Sequence, residues 1–196
     1  VTAVTPEERA RLTARAAMAS IAMAIILIAL KTYAAYETGS MAMLGSLADS
    51  GLDLVASLVV LLGVRIAAVP ADHDHRFGHG KAEALAALSQ VALITVSAAF
   101  IGFRAVQRLL QGAQTSRAEL GIGVSIVAIV LTIALITYQR HVVRRTGSLA
   151  IGTDRLHYSS DLLLNGSVIL ALALDQFTGL AGADAVFGVL IALWLL

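Results

Sequence analysis

The chain has 196 residues, of which 58% are hydrophobic and only 14% charged, with a formal net charge of +1. A soluble domain carries charge on about a quarter of its positions, so this composition belongs to an integral membrane protein, and the scattered Lys and Arg form no stripe for nucleic acid. The absence of cysteine excludes disulfides and thiolate metal sites, leaving imidazole nitrogen and carboxylate oxygen to hold any metal.

Six apolar runs follow one another, separated by short polar connections. Residues 1–15 are polar, and the first run, about 14–35, is full length with no small-residue cleavage pattern after it, so it reads as a span and not as a signal peptide. The second run, about 44–68, carries Asp49 and Asp53 in SLADSGLDL. The connection after it, DHDHRFGHGK, brings Asp72, His73, Asp74, His75 and His79 into one short stretch. His75 and His79 are close enough in sequence to share an ion with Asp72, although a solvated, flexible loop accounts for the same residues equally well. The third run covers about 82–110, the fourth about 120–138 and the fifth about 149–174, which carries His157 and Asp161 in LHYSSD. The sixth, about 180–196, stops at Trp194-Leu195-Leu196 without a polar flank, and the expectation is that the natural protein continues into a further domain. The first five runs meet or approach the roughly 20 residues that a helix needs to cross the hydrocarbon. The predicted fold is all-α, a six-helix transmembrane bundle forming one domain over 1–196, with no internal repeat.

Asp49, Asp53, His157 and Asp161 are the residues with the most chemistry. An Asp at the centre of a membrane helix costs roughly 2.5 to 3.5 kcal/mol, so the three carboxylates together need compensation of about 8 to 10 kcal/mol if the costs add. A bound cation, protonation or a water-filled cavity supplies it. Residues four apart share a helix face, so each pair projects as a unit. Were the two faces to meet, one nitrogen and three oxygens would form a tetrahedral set suited to Zn²⁺ at about 2.0 to 2.2 Å, with Cd²⁺, Co²⁺, Fe²⁺ and Mn²⁺ left open by donor type alone. Helix capping by Asp49 and a water-exposed position for His157 are the plainer alternatives. Ser46, Ser50, Ser160 and Asn165 lie on the same two segments, where they serve either to orient the carboxylates or to hold helices together.

Arg9, Arg11 and Arg15 precede the first run, Arg65, Arg76 and Lys81 flank the second connection, and Arg140, Arg144 and Arg145 lie in the fourth. These clusters fall on one side of an even-numbered bundle, which the positive-inside rule assigns to the cytoplasm together with both termini. Arg104, Arg108 and Arg117 around the third connection run against the pattern, the first two from the end of a helix where long side chains snorkel.

SLADSGLDL, HRFGHGKAEALAAL and LHYSSDLLLNG, in that order, resemble the cation diffusion facilitator family, in particular its bacterial zinc-exporting, proton-coupled branch. The resemblance runs from about the first helix to the end of the chain. It implies a six-helix transmembrane domain that forms a homodimer in the bacterial inner membrane and exports divalent metal from the cytoplasm in exchange for protons. It further implies that Asp49, Asp53, His157 and Asp161 are the intramembrane transport site and that Asp72, His75 and His79 form a loop site on the cytoplasmic side. Lys81, in HGKAE, matches a family lysine in an interhelix ion-pair network near the dimer contact, whose acidic partner would lie beyond Leu196. Members of the family usually carry a C-terminal cytoplasmic domain of ferredoxin-like fold, which this sequence lacks. Zinc is favoured over manganese because the manganese branch tends to have Asp in place of His157.

An enzyme is not expected, since the paired-histidine HExxH motif of an intramembrane metalloprotease is absent. A cation channel would use acidic residues to line a pore and would conduct without saturating at low concentration. A membrane metal sensor would bind the ion without moving it, and counter-transport of protons separates it from a carrier.

Overall fold

The computed structural model describes residues 4–38, 41–111, 119–178 and 183–195. Among these run six helices and no strand: α1 (Pro6–Thr38), α2 (Met41–Ala67), α3 (Lys81–Gln111), α4 (Glu119–Thr146), α5 (Leu149–Thr178) and α6 (Ala183–Leu195). Each predicted run forms the body of one helix. Arg117, positions 180–182 and Leu196 lie outside the described residues, as do the side chains of Arg104 and Arg108.

Two helices outrun their apolar segments because capping chemistry, not hydrophobicity, sets their ends. Thr5 caps α1: its Oγ1 accepts the Glu8 backbone N–H at 3.2 Å, its carbonyl accepts that of Arg9 at 2.8 Å, and Pro6 occupies the first helical position, where a missing N–H costs nothing. α4 continues through Gln139-Arg140-His141 to Thr146 and stops where Gly147 takes φ +64°, its N–H donating to the Val143 carbonyl at 2.8 Å. Ser148 follows at once as the cap of α5, its Oγ accepting the Ile151 N–H at 3.2 Å. The link between α4 and α5 is therefore two residues long.

Among the described residues, four helices contain stretches long and apolar enough to cross a bilayer: Pro6–Glu37, Ser46–Ala67, Lys81–Gln107 and Ser125–Thr146. The chain is a multi-pass membrane protein. In α5 the apolar character is interrupted by Asp154, Arg155, His157 and Asp161, and α6 has 13 described residues. Burial follows the logic of a lipid solvent. Leu52, Val55, Leu62, Leu85, Leu88 and Phe103 face outward, while the interior is lined by Ala16, Ala17, Ala24, Ala56 and Ala86 together with buried hydroxyls and amides. Small residues let backbones approach, and van der Waals contact and hydrogen bonds replace the hydrophobic drive that lipid removes.

α1 packs on α2 and α4; α3 packs on α2, α5 and α6; α5 also meets α4, α6 and, less extensively, α2. α2 and α3 approach tightly at Gly63, where an added Cβ would collide with Ala86 Cβ and stand 3.1 Å from the Ala82 carbonyl oxygen. Gly63→Ala is expected to force the two helices apart at a cost of about 1–3 kcal/mol, read as an earlier thermal unfolding transition in detergent. An unchanged transition would show that this contact is looser than the structure has it.

At one end of the bundle the helices are tied by charge. Arg9 of α1 pairs with the buried Glu83 of α3 at 2.7 Å and donates to the Thr146 carbonyl at 3.1 Å, the Ser148 hydroxyl donates to Glu83, and Arg145 pairs with Glu8 at 2.8 Å. α1, α3, α4 and the start of α5 are thus fastened at that end by partners that satisfy one another.

Candidate metal centre

Asp53 projects from α2 toward α5, and His157 and Asp161 stand one turn apart on the α5 face that meets it. His157 Nε2 lies 2.9 Å from Asp53 Oδ1 and 3.7 Å from Asp161 Oδ2. The donor atoms of the three residues all fall within 4.8 Å of one another. Donors at about 2.0 to 2.2 Å around a tetrahedral ion are separated by about 3.3 to 3.6 Å, so only small side-chain shifts are needed for all three to touch one divalent ion. The His157 side chain is only 9% exposed and that of Asp53 14%, whereas Asp161 retains 32%. A crevice of about 20 Å³ lined by Ser97, Ile101, Ser160 and Leu164 reaches His157 and Asp161, room for about one water.

Asp49 occupies the preceding turn of α2, is exposed, and lies outside the group of three. It remains near enough for its charge to act on Asp161 and on Lys31. Of the polar neighbours singled out in the sequence, Asn165 Nδ2 donates to the backbone carbonyl of Asp161 at 2.8 Å, and Ser160 Oγ donates to the Leu156 carbonyl at 2.9 Å. Ser46 and Ser50 turn to Lys31 of α1, whose ammonium donates to the Ser46 carbonyl at 3.1 Å and to Ser50 Oγ at 2.7 Å.

Sequence reasoning missed two groups. Lys31 stood unremarked in the first apolar run, although a charge inside a span is itself the signal. The other is centred on Asp154, fully buried three residues before His157 and on the same face of α5. Its carboxylate accepts from Ser20 Oγ of α1 at 2.6 Å, from Gln90 Nε2 of α3 at 2.8 Å and from Gln139 Nε2 of α4 at 2.7 Å. Tyr158 adds a second tie, donating to the Ser20 carbonyl at 3.1 Å while Ser57 Oγ of α2 donates to its hydroxyl oxygen at 3.1 Å. The helix that presents His157 is thereby pinned to four others. Each of these residues looked in the sequence like an isolated polar side chain among apolar ones; only the i, i+3 spacing of Asp154 and His157 marked it out.

The loop between α2 and α3 holds a second group. Asp72, His75 and His79 bring one donor atom each within 4.8 Å of one another. His75 Nδ1 is 3.4 Å from Asp72 Oδ1, His79 Nε2 is 3.6 Å from Asp72 Oδ2, and the two imidazole rings lie 4.4 Å apart. The loop is shaped by its backbone: the His75 N–H donates to Asp72 Oδ1 at 2.6 Å, and Gly78, at φ +75°, donates to the His75 carbonyl at 2.9 Å. That N–H, reinforced by the two imidazoles, holds the Asp72 carboxyl below the usual range, so the residue keeps its negative charge into mildly acid solution. His73 and Asp74 are exposed and lie outside the group, and Lys81 is exposed at the start of α3.

Residues 17–196 match the family described as Cation efflux transmembrane domain. The proteins named Cation-efflux pump FieF from Salmonella arizonae, Salmonella newport and Salmonella typhimurium are each 45% identical over 186 residues, covering 95% of this chain. The chain spans 62% of the length of those relatives.

Proposed function

Because this chain belongs to the cation efflux transmembrane domain family, we propose that it moves divalent metal ions, Zn²⁺ foremost, out of the cytoplasm in exchange for protons. The observation that carries this reading is the meeting of Asp53 from α2 with His157 and Asp161 from α5 inside a bundle of apolar helices. Asp49, one turn away and exposed, joins them as the fourth donor when the ion binds. Two imidazoles and a carboxylate in the α2–α3 loop form a separate site on the cytoplasmic side. All six helices cross the membrane, which is the bacterial inner membrane, both termini lie in the cytoplasm, and the working unit is a homodimer in which Lys81 takes part in the ion-pair network near the dimer contact.

Exchange follows from charge. Imidazole nitrogen and carboxylate oxygen match Zn²⁺ and its neighbours Cd²⁺, Co²⁺, Fe²⁺ and Mn²⁺, with the nitrogen donor favouring zinc over the harder manganese. When the ion leaves, the carboxylates cannot all stay ionised in a low-dielectric interior, so protons take its place, shared among the site's groups as a set. Because the ligands come from two helices, sliding or tilting of α5 against α2 assembles and disassembles the site, and access alternates between the two sides of the membrane.

In sealed proteoliposomes with a pH gradient, Zn²⁺ flux is expected to saturate and to be accompanied by proton flux in the opposite direction. Flux that rises without saturating and moves no protons would establish an open channel instead, and stoichiometric binding without flux would establish a sensor.

A further inference from the structure

The crevice that reaches His157 and Asp161 is lined from α3 and α5. Ser97 of α3 and Ser160 of α5 share it with the two ligands, and Ile101 and Leu164 are among its apolar flanks. Its volume of about 20 Å³ holds one water, and a buried water needs two to four polar partners, a number that these four side chains supply. The two hydroxyls stand differently. Ser160 Oγ gives its hydrogen to the Leu156 carbonyl at 2.9 Å and keeps its lone pairs. On α3, Ser89 and Thr95 close back on the carbonyls of Leu85 and Val91 at 3.0 and 2.9 Å. Ser97 does not: among the described residues its hydroxyl makes no hydrogen bond, although the residue is half-buried. A half-buried hydroxyl in a membrane helix ordinarily bonds to its own backbone or to a neighbouring helix. What lies beside Ser97 is the crevice.

We propose that Ser97 is a positioning residue of the transport site: its hydroxyl, with that of Ser160, holds a water molecule as a further ligand of the ion that Asp53, His157 and Asp161 bind. This inference deepens the transport reading and rests on it. A water that gives a lone pair to a divalent cation has its two hydrogens left to offer and needs two acceptors. Ser160 Oγ and Ser97 Oγ are both able to accept, and Ser97 can then turn its own hydrogen to a backbone carbonyl as Ser89 and Thr95 do. Zn²⁺ tolerates the extra ligand, since it expands from four donors to five. An ion that parts from the α2 carboxylate keeps a ligand on the α3 side of α5, so it never stands bare in a low-dielectric interior, where an unpaired charge is costly. α3 thereby becomes the third helix of the metal centre while its own side chain touches no metal.

Thr and Val have nearly the same shape and differ by the hydroxyl, so Ser97→Thr and Ser97→Val isolate it. In proteoliposomes Ser97→Val is expected to lower kcat for Zn²⁺ about tenfold, the lower end of what loss of an outer partner of a metal site costs, and Ser97→Thr to stay close to the parent. Co²⁺ reports its ligands through its visible absorption, measured in detergent on protein that also carries His75→Ala, so that the loop group adds nothing to the signal. The Ser97→Val spectrum should differ from the parent's, because a ligand has been lost, and the Ser97→Thr spectrum should match it. A residue that only packed α3 against α5 would make the two variants alike. Equal flux and equal spectra for Ser97→Thr and Ser97→Val therefore overturn the inference. Loss of flux in Ser97→Val with the parent's spectrum overturns it too, since the hydroxyl would then act away from the ion. Should neither branched side chain allow folding, Ser97→Ala is measured in their place, and a flux and spectrum like the parent's overturn the inference. If the Co²⁺ signal does not depend on Asp161, the transport-site reading itself fails and takes this inference with it; where Asp161 is required, the other outcomes judge this inference alone.

Discussion

His157→Ala is expected to lower Zn²⁺ transport in proteoliposomes by at least about 100-fold, more than the 10- to 100-fold that loss of an outer partner of a metal site usually costs. The imidazole is the nitrogen donor of the group, and it stands between Asp53, at 2.9 Å, and Asp161, at 3.7 Å. Without it two carboxylates face each other across a gap that water or a proton must fill, and the set loses the donor that separates zinc from harder ions. Asp161→Ala should do the same, since it opens the other side of the site. His157→Asp is the more discriminating variant: it restores a donor but changes nitrogen to oxygen, and it should recover transport of Mn²⁺ better than of Zn²⁺. His75→Ala in the α2–α3 loop should leave most of the flux in place, because that group lies outside the helices that carry the ion. Near-normal Zn²⁺ flux in His157→Ala, with the protein correctly folded, would remove the metal centre from between α2 and α5.

The second large effect is one of stability. Asp154→Ala should cost about 3 kcal/mol or more, within the range found when one partner of a buried charged network is removed. The loss is large because the carboxylate receives three donors, Ser20 Oγ, Gln90 Nε2 and Gln139 Nε2, from three different helices. In the alanine variant Gln90 Nε2 loses its acceptor, while Ser20 Oγ and Gln139 Nε2 keep only each other and the Ala16 carbonyl. Thermal unfolding in detergent reads the loss. Asp154→Asn keeps the shape but places an amide N–H₂ against one of the donors, so it should fall between the parent and the alanine variant. If Asp154→Ala unfolded at the same temperature as the parent, the carboxylate would have no part in holding α5. Because Asp154 lies one turn before His157, partial loss of the tie should also appear as weaker Co²⁺ binding, even where the protein still folds.

How far the sequence reached is clearest at particular residues. Helix positions were legible because lipid demands long apolar runs, and the five that the structure describes fully at both ends each became a helix. Ends were less legible: α1 starts at Pro6 and α4 runs to Thr146 because of Thr5, Pro6 and Gly147, local capping signals that hydropathy averages away. The i, i+4 spacing put Asp49 with Asp53 and His157 with Asp161 on one face each, but on the residues alone the meeting of the two faces was only a condition, and it was the family resemblance that implied it. What spacing could not reveal was which polar side chains meet across helices. Ser46 and Ser50, left open between orienting the carboxylates and holding helices together, meet Lys31 of α1, and Asp154 with Gln90 and Gln139 forms a hub from residues 15 to 64 positions apart. Such contacts depend on helix rotation, which a single sequence does not encode at that precision.

The two-residue Gly147-Ser148 joint makes α4 and α5 a bent lever fixed at its elbow, since Glu83 grips Ser148 and Arg9 grips Thr146 there. His157 lies nine residues along the arm from Ser148, a distance of about 13 Å at 1.5 Å per residue. Asp154, six residues along the same arm, is tied to α1, α3 and α4, so a movement that parts the imidazole from Asp53 would carry α5 together with those helices relative to α2. The latch of arginines and glutamates at the charged end joins α1, α3, α4 and the start of α5 but takes no residue from α2, so it would stay shut in such a movement.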